Sequence, residues 1–240
     1  MMVYPVVILA GGLAVRLRPI TEEIPKALVE VGGEPFIAHQ LRLLYSHGVR
    51  NVIISAWYLG EMIQDYLGDG SRFGMEIQYV FDGEIALGTA GAIRKGLNLV
   101  EGPFFVLNGD TYFPCDLAAI QRFFMENART GLMTVNYNQM PWHDSNVELR
   151  DGQIIRYDKQ NRDSLMQYVD AGLGLFDPIA FAHLPEGQPA DMFEVVKKLL
   201  SEEELAAYVE KQRFYEIGSF TGLKELDALL SEKPERFLVG

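Results

Sequence analysis

The sequence predicts an α/β protein of three layers, with a mostly parallel sheet covered on both faces by helices. Three observations predict it. Short apolar runs of strand length recur through the first half, at residues 6–10, 51–57 and 104–107. Between them lie segments with apolar residues at helical spacing, such as Ile37, Leu41 and Leu44. The strand runs are near-continuous rather than alternating, as strands with helices over both faces must be. Alternation of strand and helix is the pattern of parallel βαβ units.

The elements follow in order. Val6-Val7-Ile8-Leu9-Ala10 reads as a buried strand ending in Gly11-Gly12. Pro19 and Pro25 then break any long helix. Residues 36–46 carry a helical face closed by Gly48, and residues 51–57 form the next strand. Residues 60–67 read as a short helix and residues 75–81 as a strand, with Tyr79 and Phe81 assigned to the core. Residues 90–99 are helical, residues 104–107 a buried strand, and Leu117, Ile120 and Phe124 mark another helix. The second half is less regular. Residues 132–137, 146–149, 153–157 and 167–176 read as strands, with a hairpin at Asp151-Gly152. These strands predict an antiparallel extension over the ligand. Residues 192–200 and 202–211 read as helices, 213–217 as a final strand and 223–230 as a terminal helix. No repeat, low-complexity tract or linker divides the 240 residues, which predicts a single domain.

Composition narrows the function. The net charge of −12, from 21 Lys+Arg against 33 Asp+Glu, argues against broad nucleic-acid binding. A polyphosphate would have to be met by a local cluster of cations and a metal ion. Cys115 is the only cysteine, which excludes an internal disulfide and a cysteine-built zinc site; it reads as a small buried hydrophobe. The apolar run at residues 5–10 has no basic flank, and no run approaches the ~18 residues of a membrane span. The expected location is the cytoplasm, without membrane insertion, and homo-oligomerisation is left open. His39, His47, His143 and His183 are scattered and receive no role.

The most informative stretch follows the first strand: Gly11-Gly12-Leu13-Ala14-Val15-Arg16-Leu17-Arg18-Pro19, then Thr21, Pro25 and Lys26. Small residues let backbone N–H groups approach anionic oxygens. Arg16 offers a planar fork and Lys26 a mobile point charge. No GxxxxGK[ST] run is present, and the adjacent glycines do not fit GxGxxG. The segment resembles the GGxGTRLxPxTxxxPK signature of sugar-1-phosphate nucleotidyltransferases at Gly11, Gly12, Arg16, Leu17, Pro19, Thr21, Pro25 and Lys26. It departs at Ala14, which adds a methyl where the family has Gly, and at Val15, which removes a hydroxyl donor.

The resemblance implies a Rossmann-like nucleotidyltransferase fold with a small antiparallel sugar-binding extension. Residues 1–130 would be mainly nucleotide-binding, and residues 131–240 would bind the sugar and supply the second metal ligand. It implies that an NTP reacts with a sugar 1-phosphate to give NDP-sugar and pyrophosphate, with Mg²⁺ as cofactor. Arg16 and Lys26 would be catalytic. Asp110, in Leu107-Asn108-Gly109-Asp110-Thr111 after a buried strand, would be the first metal ligand. Glu216 would be the second, one methylene longer than the family's Asp. Leu9, Ala10, Gly11, Gly12, Glu84, Gly88, Thr89 and Asn108 would face the nucleotide, with Leu87-Gly88-Thr89-Ala90-Gly91-Ala92 recognising the base. Glu148, Lys159 and Asp170 would hold the sugar phosphate, Asp170 standing where the family has Asn. The likeness is greatest to enzymes making GDP-heptose or GDP-mannose. UTP with N-acetylmuramate 1-phosphate or another hexose 1-phosphate is the alternative, and a non-catalytic nucleotide-sugar sensor is an alternative of another class.

Overall fold

A computed structural model describes residues 2–138 and 144–232; His143 lies outside them. The chain begins with β1 (Val6–Leu9), which feeds the glycine loop. A one-turn helix α1 (Ile20–Glu23) and a small ribbon, β2 (Glu30–Val31) with β3 (Glu34–Pro35), lead to α2 (Phe36–Ser46). Then come β4 (Asn51–Ala56), α3 (Gly60–Leu67), β5 (Glu76–Phe81), α4 (Gly88–Lys95) and β6 (Phe104–Asn108). Next are β7 (Thr111–Tyr112), α5 (Leu117–Asn127) and β8 (Gly131–Tyr137). The hairpin β9 (Val147–Arg150) and β10 (Gln153–Tyr157) precedes β11 (Tyr168–Phe176). The remainder is α6 (Met192–Ser201), β12 (Leu205–Val209), β13 (Tyr215–Glu216) and α7 (Phe220–Glu232).

One nine-stranded sheet runs through both halves. Its first part, β5-β4-β1-β6, is parallel throughout. The antiparallel β11 continues from β6 and pairs on its other side with β8. Alternate side chains sort to the two faces. Val6 and Ile8 pack with Ile37, Leu41 and Leu44 of α2 and with Ile120 and Phe124 of α5. Val7 packs on the other face with Ile93 of α4 and Val195 and Leu199 of α6. This is the predicted three-layer arrangement, and Cys115 is buried in it. The turn at Asp151-Gly152 has both residues at positive φ, 49° and 77°, the geometry a two-residue hairpin needs.

One expected element is wrong. Residues 202–211 are not a helix: Glu203, at φ 58°, ends α6, and β12 follows. The acidic and alanine-rich composition favours helix locally. The open edge of β8 overrides it, pairing in parallel with β12 from Leu205↔Gly131 to Val209↔Val135 and burying Leu205, Ala206 and Ala207. The Glu204 carboxylate secures the entry by accepting from Thr130 N and Oγ1. The late strand is also shorter than expected. β13 pairs with β7 in a separate two-stranded ribbon, capped by α7 through Ile217, Leu226 and Leu230. Among the described residues no helix is long and apolar enough to cross a membrane.

Candidate active site

In the parallel part of the sheet, β4 and β5 lie on one side of β1 and β6 on the other. The strand order therefore reverses at β1, and a crevice opens beyond the carboxyl ends of the strands. Leu9, Ser55 and Asn108 stand level there, since Leu9 pairs with both neighbours. A cleft of about 470 Å³ occupies this position. It is lined by Leu9, Ala10, Gly11 and Gly12, by Gly88 and Thr89, and by Asn108, Asp110 and Lys26. A Cβ on Gly12 would meet nothing within 4 Å, whereas one on Gly11 would press on Trp57 N at 3.2 Å. Gly11 thus serves packing, and Gly12 leaves open space beside the cleft.

The loop beyond Gly12 is held in an unusual shape. Ala14 sits in the left-handed region at φ 48°, and Thr21 Oγ1 donates to its carbonyl at 2.9 Å. Glycine takes that conformation without steric cost, which explains the family's preference at this position. The turn of LGTAGA has a reason the sequence did not disclose. A Cβ on Gly88 would approach Ala190 O at 2.7 Å, and one on Gly91 would approach Gln188 O at 2.5 Å. The small residues let the segment before α6 dock, with Ala90 N and Gly91 N both donating to Ala190 O.

The charged groups meet at Asp110. Lys26 Nζ donates to Asp110 Oδ2 at 2.8 Å. The β7–β13 ribbon sets Glu216 opposite Thr111, and Ile217 N donates to Asp110 O at 3.0 Å. Two acids far apart in sequence are thereby neighbours. A Cβ on the buried Gly218 would stand 3.0 Å from an Arg16 terminal nitrogen, 3.1 Å from Asp110 Oδ2 and 3.2 Å from Glu216 Oε2. Glycine leaves the room these three groups share. No group of three or more His, Cys, Asp or Glu suited to a metal is found among the described residues. Two carboxylates suit Mg²⁺ all the same, because it takes one or two carboxylates together with substrate phosphates and waters.

A second cavity, of about 100 Å³, adjoins the first and shares Leu9, Thr89, Asn108 and Lys159 with it. Asp170 lines it. Its Oδ2 accepts from Tyr157 OH at 3.0 Å and its Oδ1 from Gly172 N at 3.0 Å. Burial, with Asp170 and Asp191 alongside, pushes the Tyr157 hydroxyl far up, so it stays a donor. The Lys159 ammonium lies 5.5 Å from the Tyr157 ring centroid.

Four expected residues line neither cavity: Arg16 and Glu216, which stand beside Asp110 around Gly218, and Glu84 and Glu148, which lie elsewhere. Glu84 is exposed on the β5–α4 loop and does not line the cleft. Glu148 pairs with Arg156 at 3.2 Å and Arg150 at 3.6 Å and lines neither cavity. Asp82 lines the cleft instead of Glu84. Its Oδ2 accepts from Leu87 N at 2.7 Å, its Oδ1 is buried without a partner, and burial raises its pKa. Trp57, Ser55, Asp191 and Gln40 also belong to the site or its support, and no local pattern marked them.

The fold and site define an α/β protein with a strand-end cleft lined by Lys26 and Asp110, and with Arg16 and Glu216 beside Asp110. Residues 5–233 match the nucleotidyl transferase family, and the chain belongs to it. It is 31% identical over 228 residues to N-acetylmuramate alpha-1-phosphate uridylyltransferase of Neisseria meningitidis serogroup B, covering 92% of this chain and 96% of that protein. It is 29% identical over 245 residues to the mannose-1-phosphate guanylyltransferase catalytic subunit beta of Danio rerio, covering 97% and 68%. The crystal structure of HddC from Yersinia pseudotuberculosis complexed with GMP-PN shares the fold, with TM-score 0.81 at 23% identity over 95% and 99% of the two chains. The chain is a nucleotidyltransferase.

Proposed function

We propose that the chain transfers a nucleotidyl group from GTP to a heptose or mannose 1-phosphate, giving an NDP-sugar and pyrophosphate. The observation that carries this is the meeting of four charged groups at Asp110, which lines the cleft: Lys26 bonds to it, and Arg16 and Glu216 stand with it around Gly218. An oxygen of the acceptor phosphate attacks the α-phosphorus, the bond to the β-phosphate oxygen breaks, and pyrophosphate leaves with the electron pair. The acceptor is already an anion, so no protein nucleophile or base is needed, and catalysis is positioning plus charge stabilisation. Lys26 stabilises charge on the α-phosphate and Arg16 steadies the pyrophosphate. Lys159, which borders both cavities, orients the attacking phosphate. Asp110 and Glu216 would hold Mg²⁺, which when bound neutralises phosphate charge and keeps the chain in line. Residues 1–130 mainly serve the nucleotide, and residues 131–240 serve the sugar and supply Glu216.

Two carboxylates bear on the substrates. Asp82 lines the cleft, and an ionised carboxylate there only accepts, so it favours the ring N–H of guanine or uracil over the bare ring nitrogen of cytosine or adenine. In the second cavity Asp170 and Asp191 face one cation, Lys159, which the acceptor phosphate occupies. Hydroxyl donors of a neutral sugar suit those acids, whereas the lactyl carboxylate of N-acetylmuramate meets like charge. The relative from N. meningitidis keeps UTP with that acceptor as the second reading. The product would be an activated sugar for cell-envelope polysaccharide, made in the cytoplasm.

The test is pyrophosphate release with Mg²⁺, the four NTPs and a panel of heptose, mannose, glucose and N-acetylmuramate 1-phosphates. GTP with a neutral sugar phosphate is expected to give the highest kcat/KM. Nucleotide binding without release from any pair would instead make the protein a sensor.

A further inference from the structure

We infer that Gln40 is a positioning residue that holds the Asp110 turn in register with the rest of the site. Gln40 stands on the buried face of α2, beside Ile37, Leu41 and Leu44, and is 1% exposed. A polar side chain there is costly unless its hydrogen bonds are made. Its Nε2 donates to Asn108 O at 3.1 Å and to Thr111 O at 2.7 Å. Those carbonyls bracket Asn108-Gly109-Asp110-Thr111, so one amide spans both ends of the turn that carries Asp110.

The turn is tied from three directions. Gly109 N donates to Leu9 O at 3.0 Å, from β1, and Ile217 N donates to Asp110 O, from beside β13. Both are backbone bonds; the first needs glycine, because a Cβ on Gly109 would overlap Leu9 O, and the second would persist with other side chains at residue 217. The α2 tie alone among the three depends on a side chain. Gln40 Oε1 is buried and has no partner. Met would fill much the same space without burying that oxygen, but it could not hold two carbonyls. The donors are therefore what the site uses. Freed of them, the turn would leave two carbonyls unpaired and let Asp110 drift from Lys26 and Gly218. A displacement of about 0.5 Å is enough to spoil a metal site.

This inference rests on the proposed cation between Asp110 and Glu216, and the test separates the two. Mn²⁺ is titrated into the full chain with GTP and no acceptor, and free Mn²⁺ is read by electron paramagnetic resonance. In Gln40→Met the Mn²⁺ dissociation constant is expected to rise by about tenfold, the lower end of what losing hydrogen bonds outside a metal's ligands costs, because Gln40 holds the turn and not the Asp110 carboxylate itself. Metal-free GTP binding, read by quenching of Trp57 in a Trp142→Phe background, is expected to match the wild type. Gln40→Glu is the second variant. It donates only when protonated, and burial raises its pKa, so its turnover should fall across about pH 6–8 more steeply than the wild type's. Three results would overturn the inference: wild-type Mn²⁺ affinity in Gln40→Met, an equal loss of metal-free GTP binding, or parallel pH profiles for Gln40→Glu and wild type. No Mn²⁺ binding to the wild type would overturn the cation site itself, and the inference with it.

Discussion

The two cavities are built from different materials. The larger cleft, proposed for the nucleotide, is framed by strand ends and by glycine-containing loops, with residues 9–12 running on from β1 and residues 108–110 from β6. The second cavity is framed by side chains that stand out from β10, β11 and α6: Tyr157, Asp170, Met192 and Val196. Backbone groups change little when side chains are exchanged, so a cleft of that kind keeps hold of phosphates through wide sequence change. A wall of side chains is remade by single substitutions. The division suggests that the phosphate chemistry belongs to the sheet, while acceptor choice belongs to a few replaceable residues.

Four changes break or sharpen that contrast. The largest effect is expected at Lys26→Ala. Removing a charge that acts on the transferring phosphorus should lower kcat by about 10²–10³-fold. Its partly exposed pair with Asp110 should cost no more than about 1 kcal/mol of stability. Pyrophosphate release and urea unfolding measure the two, and wild-type turnover would remove Lys26 from the chemistry. Next comes Asp170→Asn, which takes one negative charge from the second cavity. The kcat/KM ratio of mannose 1-phosphate over N-acetylmuramate 1-phosphate should fall by about tenfold while the KM for GTP holds. An unmoved ratio would show that side chains here do not choose the acceptor.

Asp82→Asn probes the nucleotide side and should act more mildly. Asn both donates and accepts, so discrimination against CTP and ATP should relax. The stability effect has a definite sign. Burial raises the Asp82 pKa, so the folded chain holds that proton more tightly than the unfolded chain. This contribution is fully present below the ordinary carboxylate pKa and is lost as pH rises through the folded value. At neutral pH the ionised group is then a cost, and the Asn variant should melt higher there than wild type. The gain should vanish below about pH 4, where both states are protonated. Thermal melts across pH check it. The smallest effect belongs to Ala14→Gly, which relieves a left-handed alanine and should add roughly 0.5–1 kcal/mol to unfolding free energy. A loss of stability would mean that the loop is held by contacts with the methyl group.

Much of the molecule is legible in its sequence. α2 falls at residues 36–46 and β10 at residues 153–157, as their apolar spacing predicts. Glycine and proline marked the phosphate loop, and Asp151-Gly152 marked the hairpin, because turn chemistry is written in a few adjacent residues. Glu84 and Glu148 show where that reading stops. Both are carboxylates near the right elements, yet one is turned to solvent and the other to Arg156. Asp82 lines the cleft two residues earlier, with a free buried oxygen. Direction of this kind follows from packing, which residue type does not encode.

The order of strands and helices as far as α6, the glycine loop and the Asn-Gly-Asp turn were determined by the sequence alone, since each depends on contacts within a few residues. The tertiary structure decided the rest. It turned residues 205–209 into a strand because the edge of β8 needed hydrogen-bond partners. It brought Glu216 to Asp110 through a two-residue ribbon, and it set Gln40 beneath their turn. Those outcomes join residues 68 to 106 positions apart. Satisfying buried polar groups across such separations is a property of the assembled core, and no local pattern can carry it.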